Sequence, residues 1–321
     1  MKQADSYRVK IIARQPNGEG NVLLTLAAQD EAPLPCFTPG AHIDVTIPAL
    51  GKRQYSLCSP ATHNDRYAIC VRLDQASSGG SRWLHHQVNQ GDELIISAPR
   101  NHFPLPEAER YLLFAAGIGL TPLLPMAEAL AARGKPFVLH LYLKGPEQIA
   151  FSDRLAAKGL AENLVFHFSD RGDSLRQGAP DDLRQAENSV LVACGPDGFM
   201  THLRDLSQRL GWQAEQFYSE RFKPSAPPET RNNDGFMVEL ASSGVRLSVG
   251  KGESIAEVLM REGIAIDLSC EQGMCGACIT GVLAGTPEHR DEVLSPREKA
   301  ANDQIVLCCS RSRSPILVLD L

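Results

Sequence analysis

Short runs of alternating apolar and polar residues fill the first third of the chain. The runs are "YRVKIIA", "NVLLTLA", "HIDVTIP", "RYAICVRL" and "DELIISA", and Gly, Pro, Asn and Asp residues separate them. A period of two places alternate side chains on one buried face, which is typical of strands in an antiparallel sheet. Residues 1–106 are therefore predicted to form an antiparallel barrel or sandwich.

From about position 110 the pattern changes to continuous apolar runs that alternate with helical stretches. The runs "RYLLFAAG", "PFVLHLYL", "NLVFHFSD" and "SVLVACG" are separated by segments such as "TPLLPMAEALAARG". Strands that are buried on both faces and alternate with helices are typical of a parallel sheet. Residues 107–222 are predicted to form an α/β domain of this kind.

A third region follows a proline-rich stretch. Residues 223–234 contain three prolines and few apolar side chains, so we expect an extended linker. After a hairpin-like pair of runs, Ser254 and Glu257 have the spacing of a helix capping box, and Gly263 stands where that helix would stop. Residues 235–321 are predicted to form a small third domain.

Composition excludes some functional classes. The chain has 321 residues, no apolar run of the roughly 18 residues that cross a bilayer, and a start too polar for a secretion signal. We therefore expect a cytoplasmic protein with no membrane association, whose nine cysteines are reduced, metal-bound or buried. A net charge of −6 and the lack of a basic stretch argue against nucleic acid as a partner.

Three cysteines near the end have the spacing of a metal site. Cys270, Cys275 and Cys278 form a C-x4-C-x2-C pattern, and a fourth ligand is available at Cys308 or at the adjacent Cys309. This pattern is typical of plant-type ferredoxins, in which four thiolates hold a [2Fe-2S] cluster. Zinc is the alternative, but structural zinc sites usually have two short pairs of cysteines, whereas this chain has one.

Small residues inside the cysteine loop also suit a cluster. Gly273, Gly276 and Ala277 would let the backbone wrap tightly and point its amides at sulfur, because larger side chains would block that approach. The loop therefore favours the iron–sulfur cluster over zinc.

A candidate flavin site lies on one strand of the first domain. Arg53, Tyr55 and Ser56 combine a cation for a phosphate, a flat ring and a hydroxyl donor, which is the mixture that a flavin needs. Any half-buried strand can show the same pattern. Gly80 and Ser81, at the start of a helical stretch, would add free amides for an anion, and a flexible glycine-rich turn is the alternative there.

The first strand of the α/β domain ends in a glycine turn. Gly117 and Gly119 would let a pyrophosphate approach the backbone. Thr121 is the expected N-cap, and Pro122 is the expected first residue of the helix. Because Pro122 replaces the third glycine of G-x-G-x-x-G, the dinucleotide fingerprint is incomplete.

A second turn contains Cys194, Gly195 and Pro196 at the end of a later strand. Ligands bind at this carboxyl edge in open α/β sheets. A lone cysteine is equally consistent with a small buried apolar residue, so the second turn alone leaves both interpretations open.

Seven segments in one order resemble a single family of reductases. "RQYSL", "GGSRWL", "PRNHFPL", "AAGIGLTP", "CGPDGFM", "SERF" and the cysteine pattern follow one another as in the phthalate dioxygenase reductase family, which includes vanillate demethylase reductases. The resemblance covers nearly the whole chain. It implies a Greek-key β-barrel that binds FMN, a parallel-sheet domain that binds NADH, and a C-terminal β-grasp ferredoxin domain.

The resemblance also implies roles for individual residues at the flavin. Arg53 would bind the FMN phosphate with Gly80 and Ser81. Tyr55 would pack on the ring, and Ser56 would hydrogen-bond near flavin N5.

Further residues follow from the same resemblance. The backbone from Val71 to Leu73 would border the ring, Phe222 would lie against it, and Cys308 rather than Cys309 would be the fourth sulfur ligand. The residues near the dinucleotide, with Thr121 also beside the flavin, would be Gly117, Gly119, Thr121, Cys194, Gly195 and Pro196.

One loop bears on the choice of nucleotide. Asp170, in "HFSDRGD", could accept hydrogen bonds from the ribose 2′-hydroxyl and would repel a 2′-phosphate, whereas Arg171 could do the reverse. NADH is therefore favoured over NADPH.

The function that the resemblance implies is that of the reductase component of a multicomponent oxygenase. NADH would give a hydride to FMN, and single electrons would pass through the cluster to a terminal oxygenase with a Rieske centre, acting on an aromatic or small organic acid. We expect a monomer. Residues 231–321 hold nine Lys and Arg and thirteen Asp and Glu, so they would dock on a basic partner or simply form a solvated surface.

Two other functions stay open from the sequence. The chain could be a non-catalytic redox-sensing or zinc-binding module whose first two domains have lost their cofactors. It could also be a reductase that serves a haem oxygenase or a separate electron carrier.

Overall fold

The chain folds into two compact units, Met1–Arg221 and Phe222–Leu321. The computed structural model describes residues 6–30, 32–62, 64–74, 79–222 and 235–321. The predicted linker at 223–234 lies outside these residues, and the boundary predicted at 106 lies within the first unit, so the three-domain division stays a prediction. None of the helices in the described ranges is long and apolar enough to cross a membrane.

The first part of the first unit is a barrel-like antiparallel sheet. Its elements are β1 (Ser6–Pro16), β2 (Asn21–Ala28), β3 (His42–Ile47), β4 (Gly51–Ser56), β5 (Tyr67–Arg72), α1 (Gly80–His86) and β6 (Glu93–Ser97). The strand order is β4-β3-β6-β1-β2-β5, and a bridge between Leu57 and Ile69 joins the two edges. Val22, Leu24 and Leu26 alternate into the core, so the predicted antiparallel barrel is confirmed.

The second part of the first unit is a parallel sheet covered on both faces. Its elements are β7 (Arg110–Ala116), α2 (Leu120–Ala132), β8 (Phe137–Leu143), α3 (Ser152–Leu155), β9 (Leu164–Phe168), β10 (Ser189–Cys194), α4 (Asp197–Arg209) and β11 (Phe217–Glu220). The order is β11-β10-β7-β8-β9. In β7, Leu113 packs in the core on the α2 side, while Leu112 and Phe114 pack in the core on the α4 side. Because the side chains of the strand pack into a core on each face of the sheet, its apolar residues are continuous in the sequence, as predicted.

The entry into α2 differs from the prediction. Gly117–Gly119 form a 3-10 turn that continues directly into the helix, and the amide of Leu120 already bonds to carbonyls in that turn. Thr121 therefore lies inside the first helical turn, where its hydroxyl donates to the carbonyl oxygen of Ile118 at 2.9 Å. The predicted N-cap at Thr121 is wrong, and Pro122 is the third residue of the helix rather than the first.

The second unit contains a mixed five-stranded sheet. Its elements are β12 (Phe236–Leu240), β13 (Arg246–Val249), α5 (Ile255–Arg261), β14 (Ile279–Ala284), β15 (Pro287–Glu288), α6 (Pro296–Ala301), β16 (Gln304–Val306), β17 (Arg311–Ser312) and β18 (Ile316–Leu319). The order is β13-β12-β18-β14-β16, with β12 and β18 parallel. Both hydrogen bonds of the capping box between Ser254 and Glu257 are present, and Gly263 follows α5 with a φ of 74°. The predicted α+β class and the limits of α5 are confirmed.

Candidate functional site

Four cysteines of the second unit bring their sulfurs together. Cys270, Cys275 and Cys278 lie in the segment between α5 and β14, and Cys308 follows β16. The sulfur of Cys270 lies within interaction distance of those of Cys275 and Cys308, and the sulfur of Cys278 lies within interaction distance of that of Cys308. One loop and one strand end thus supply the four sulfurs that the spacing predicts.

Backbone amides point at these sulfurs. The amides of Gln272 and Met274 each donate to the sulfur of Cys270 at 3.3 Å, and the amide of Ala277 donates to the sulfur of Cys275 at 3.4 Å. The neighbouring thiols, and then the amides, lower the pKa of Cys270 well below its ordinary value, against the opposing effect of burial. A cysteine held as a thiolate in this way is prepared to bind metal.

Cys309 packs behind the fourth sulfur. It contacts the Cys308 thiol, and its sulfur lies 3.8 Å from the Ser310 hydroxyl. A Cβ on Gly273 would lie only 2.6 Å from the Cys309 sulfur, so the glycine leaves room for this thiol. The thiol contacts therefore group Cys308 with Cys270 and Cys278, whereas Cys309 contacts Cys308 and lies against Gly273 of the loop.

The four cysteines fit a [2Fe-2S] cluster better than a single metal ion. Within the described ranges, no three His, Cys, Asp or Glu side chains surround a position for a single metal ion. The spacing of the ligands, the thiol contacts and the inward amides are the features that match a cluster with two irons.

The predicted phosphate-binding residues lie together in the first unit. Arg53 in β4 packs over Gly80, since a Cβ on that glycine would lie 2.9 Å from Arg53 Cγ. Ser81, next in α1, accepts a hydrogen bond from the amide of Asp74 at 3.2 Å. Tyr55 is half-buried on the same strand as Arg53, and burial raises its pKa, so its phenol is neutral. Arg53 thus lies against the start of α1, which Gly80 and Ser81 form, and Tyr55 lies two positions further along the same strand.

The backbone from Val71 to Leu73 is held beside α1. The carbonyl of Val71 accepts a hydrogen bond from His85 Nε2 at 2.8 Å, and the amide of Leu73 donates to the carbonyl of Gly20 at 2.8 Å. The side chain of Val71 is buried in the barrel core. The segment is therefore fixed in place, and its role at a flavin ring stays a prediction.

The two predicted nucleotide turns touch each other at the carboxyl edge of the parallel sheet. A Cβ on Gly119 would lie 2.1 Å from the carbonyl oxygen of Cys194, and one on Gly195 would lie 2.8 Å from Ala116 Cβ. Pro196 then serves as the N-cap residue of α4. The turns pack this closely only because neither glycine has a side chain.

The rest of the first turn is also ordered by its neighbours. Gly117 has a φ of 56°, and a Cβ there would lie 3.1 Å from a guanidinium nitrogen of Arg72. Thr121 is buried, and its hydroxyl is turned back to the carbonyl of Ile118. The barrel and the parallel sheet therefore meet at this turn.

Glu220 is a candidate site residue that the sequence analysis did not assign. It ends β11, where it is paired with Cys194 in register, and its Oε2 lies 3.5 Å from the hydroxyl of Ser56. The residue is half-exposed, but protein encloses its carboxyl group, and this burial raises the pKa of Glu220 to about 8 against the opposing effect of the Ser56 hydrogen bond. Ser56, Cys194 and Glu220 thus form one cluster from three strands. The signal in the sequence is its place in the segment "SERF", from which only Phe222 was assigned a role.

The same cluster keeps Cys194 neutral. Burial raises the pKa of this thiol well above its ordinary value, and the nearby carboxylate of Glu220 adds to the effect. A neutral thiol is a poor nucleophile, so Cys194 is expected to shape the site rather than to react.

Two predicted residues lie apart from this cluster. Asp170 follows β9, and β8 and β7 separate β9 from β10, which corresponds to about 14 Å across the sheet. Only an elongated ligand could contact both Asp170 and the turn at Cys194. Phe222 is the first residue of the second unit and is 44% exposed, so its contact with a flavin stays a prediction.

Comparison with known domain families identifies the cysteine region. The family described as the 2Fe-2S iron-sulfur cluster binding domain matches residues 238–313. This range contains all four clustered cysteines.

Comparison with known proteins and structures covers nearly the whole chain. Vanillate O-demethylase oxidoreductase of Pseudomonas putida is 44% identical over 97% of this chain and 98% of its own. The solved structure of phthalate dioxygenase reductase, described as modular for electron transfer from pyridine nucleotides to [2Fe-2S], is 34% identical with a TM-score of 0.68 and covers 98% of each chain. An intact type IV self-sufficient cytochrome P450 monooxygenase has a TM-score of 0.88 at 31% identity, and this chain spans 41% of its length.

Proposed function

The chain belongs to the phthalate dioxygenase reductase family, and on that premise we propose that it is the reductase component that oxidises NADH and supplies electrons to a terminal oxygenase. The observation that carries the proposal is that a cluster of four cysteines follows, in one chain, a unit with two interlocked nucleotide turns. Electrons would enter at the first unit and leave through the [2Fe-2S] cluster of the second.

FMN and NADH are the proposed ligands of the first unit. When bound, FMN supplies the chemistry that accepts two electrons from NADH and gives them up singly. Arg53 would hold its phosphate together with the backbone of Gly80 and Ser81, and Tyr55 would pack on its ring. These four residues support the proposal because they lie on adjoining parts of β4 and α1.

We assign Ser56 and Glu220 to hydrogen bonding beside the ring. With a pKa of about 8, the Glu220 carboxyl holds a proton at neutral pH and adds no negative charge there. When the Ser56 hydroxyl turns from Glu220 Oε2 to donate toward the flavin, the protonated carboxyl can donate a hydrogen bond to Ser56 Oγ, with no net transfer of a proton. Cys194, as a neutral thiol, excludes water from the neighbouring space without adding charge.

The nucleotide would lie along the carboxyl edge of the parallel sheet. The turns that contain Gly119 and Gly195 pack against each other at this edge, where a pyrophosphate would approach their backbone. Asp170 stands at the other side of the sheet, where it would accept hydrogen bonds from the adenosine ribose and favour NADH over NADPH.

An absorption spectrum of the purified protein tests the proposal. We expect flavin and iron–sulfur bands that bleach when NADH is added, and iron and FMN in a ratio of about two to one. A colourless protein would contradict the proposal and would favour the zinc-binding or sensing module. Measuring catalytic efficiency with NADH and with NADPH then tests the nucleotide preference.

The proposed electron acceptor is an oxygenase with a Rieske centre. The acidic balance of residues 231–321 would attract a basic surface, so electron transfer should slow as salt is added. A haem oxygenase is the second candidate, because a self-sufficient cytochrome P450 contains a region similar to this whole chain. Reconstitution with a purified oxygenase of each kind, at low and high salt, distinguishes the two acceptors. A rate that does not depend on salt would contradict the electrostatic attraction.

A further inference from the structure

A chain of four ionisable side chains lies on the α4 side of the parallel sheet, outside the site described above. His140 in β8 and His167 in β9 touch through Nδ1 and Nε2, which are 3.0 Å apart. The other nitrogen of His140 lies 2.9 Å from the carboxylate of Asp182, and the other nitrogen of His167 lies 2.9 Å from that of Asp173. Both rings are buried.

These three contacts require three ring protons. Each nitrogen that faces a carboxylate must carry a hydrogen, and the contact between the rings needs one more. Two neutral imidazoles carry only two, so the complete chain forms only when the pair shares an additional proton. Phe114 stacks on His140 at 4.7 Å and Tyr142 stacks on His167 at 4.2 Å, and aromatic faces favour a cationic ring.

The contact with Asp173 is the one that breaks when that proton leaves. The side chain of Asp173 is 55% exposed and that of Asp182 is 20% exposed. Replacing the histidine by water therefore costs less free energy at Asp173 than at Asp182. The two remaining protons then serve the contact with Asp182 and the contact between the rings. His167 Nδ1 then carries no hydrogen, and its lone pair repels the Asp173 carboxylate.

Among the residues that the structure describes, Tyr142 and His202 do not supply another partner for the pair. Burial raises the pKa of Tyr142, so its phenol is neutral, and His202 in α4 donates to the carbonyl of Leu175 instead. Arg110 in β7 acts on Asp182, where together with His140 it lowers the pKa of the carboxyl despite burial. Burial also lowers the pKa of His167, and Asp173 opposes this effect. His167 therefore gives up a proton at a lower pH than an ordinary histidine.

Asp173 closes the turn that carries Asp170. Its amide donates to the carbonyl of Phe168 at 3.1 Å, and the amide of Asp170 donates to the carbonyl of Lys144 at 3.0 Å. The contact with His167 is the side-chain anchor at the far end of this turn. Loss of that anchor would free the residues that are proposed to face the adenosine ribose.

We propose that His140 and His167 form a proton-operated latch that fixes the 168–173 turn and thereby sets the affinity for NADH. The latch is closed with three ring protons and open with two. The two histidines are positioning residues, since they act through Asp173 and its turn. The coupling rests on the proposed function, in which this turn reads the nucleotide.

The proton count is tested without nucleotide. Imidazole NMR signals of the full-length, cofactor-loaded protein labelled with ¹⁵N-histidine are followed from about pH 5 to about pH 9. We expect His140 and His167 to titrate in one shared step that involves one proton, and we expect Asp173→Asn to move this step to lower pH. Asp181→Asn is the control, because it removes a fully exposed carboxylate from the same face. Two independent steps, or an unchanged step in Asp173→Asn, would overturn the latch.

The coupling is tested by the KM for NADH with ferricyanide as the electron acceptor. We expect this KM to rise about threefold to tenfold through the step in the unmodified protein, with kcat unchanged. Asp173→Asn should keep the high KM down to the lower pH of its shifted step, and Asp181→Asn should follow the unmodified protein. If the two histidines titrate together but the KM stays constant across that pH range, the coupling to the nucleotide is wrong, although the protein still oxidises NADH. If the two histidines titrate together but the protein does not oxidise NADH, the proposed function is wrong, and the link to the nucleotide is wrong with it.

Discussion

The cysteine site of the second unit and the candidate flavin site of the first unit are built in opposite ways. Three of the four clustered cysteines lie in the single stretch 270–278, whereas Ser56 and Glu220 are 164 positions apart and come from different sheets. The first site depends on what one loop can do with its own amides and glycines. The second depends on strand register and on the close packing of two turns. A substitution should therefore act locally in the first site and through packing or charge in the second.

The largest expected effect separates Cys308 from Cys309. Cys308→Ser should lose the cluster, because a hydroxyl is a poor replacement for a thiolate ligand, and electron transfer beyond the flavin should stop. Cys309→Ser is the matched control and should keep the cluster, since that thiol packs behind the fourth sulfur. Iron content and visible absorption measure both variants. Retention of iron in Cys308→Ser and its loss in Cys309→Ser would reverse the assignment.

The next largest effect concerns the packing of the nucleotide turns. Gly119→Ala would place a methyl group 2.1 Å from the carbonyl oxygen of Cys194, so one turn must move. We expect the free energy of unfolding to fall by about 2–4 kcal/mol and the KM for NADH to rise. Gly178→Ala, where nothing lies within 4 Å of the new methyl, is the control. Equal stability of the two variants would show that the turns do not depend on each other.

Glu220→Gln tests the charge of the cluster formed by three strands. Since the pKa of Glu220 is raised to about 8 in the folded state, the folded protein keeps a proton that the unfolded chain loses above about 4.5. The free energy of unfolding should therefore decrease as the pH rises from 4.5 toward 8, by a few kcal/mol at most. Glutamine removes this decrease, so the variant should become the more stable protein near pH 8. Denaturant unfolding at several pH values measures the difference.

The same variant should also remove a pH dependence of the reaction. Ionisation of Glu220 would place a negative charge beside the ring that accepts hydride, so flavin reduction by NADH in the unmodified protein should slow by about tenfold as the pH rises through 8, measured by stopped-flow absorption. The variant should keep its rate over the same range. Glu215→Gln, at an exposed glutamate near the start of β11, is the control and should slow like the unmodified protein. The same loss of rate in Glu220→Gln would limit this residue to a structural role.

The smallest effect is expected at Asp170, which lies at the far side of the sheet. Asp170→Asn should shift the ratio of catalytic efficiencies toward NADPH by about fivefold, because the side chain is exposed and its charge is screened. Asp153→Asn, at another exposed carboxylate of the same unit, should leave the ratio unchanged. No change in Asp170→Asn would contradict the assignment of this turn to the ribose.

The sequence could predict the features that depend on neighbouring residues. The capping box at Ser254 and the amides that face the sulfur of Cys270 both follow from short spacings, and the structure contains them. The alternation of Val22, Leu24 and Leu26 likewise predicted a strand with one buried face. In each case the interaction lies within one element or one loop.

The sequence could not predict features that depend on register or on competing local structures. Glu220 meets Cys194 only because β10 and β11 pair in one particular register. Thr121 has the sequence context of an N-cap, but the 3-10 turn before it already satisfies the first amides of the helix. Cys308 and Cys309 are adjacent, and only packing against Gly273 separates their positions.

The contact between Gly119 and Cys194 also constrains how the protein is made. During synthesis β7, α2, β8 and β9 leave the ribosome before β10, so the first glycine turn exists for some time without the turn that packs against it. Parallel pairing of β10 with β7 closes a long loop and is expected to be a late step in folding. A nascent chain should therefore acquire the ability to bind NADH only after Cys194 has emerged.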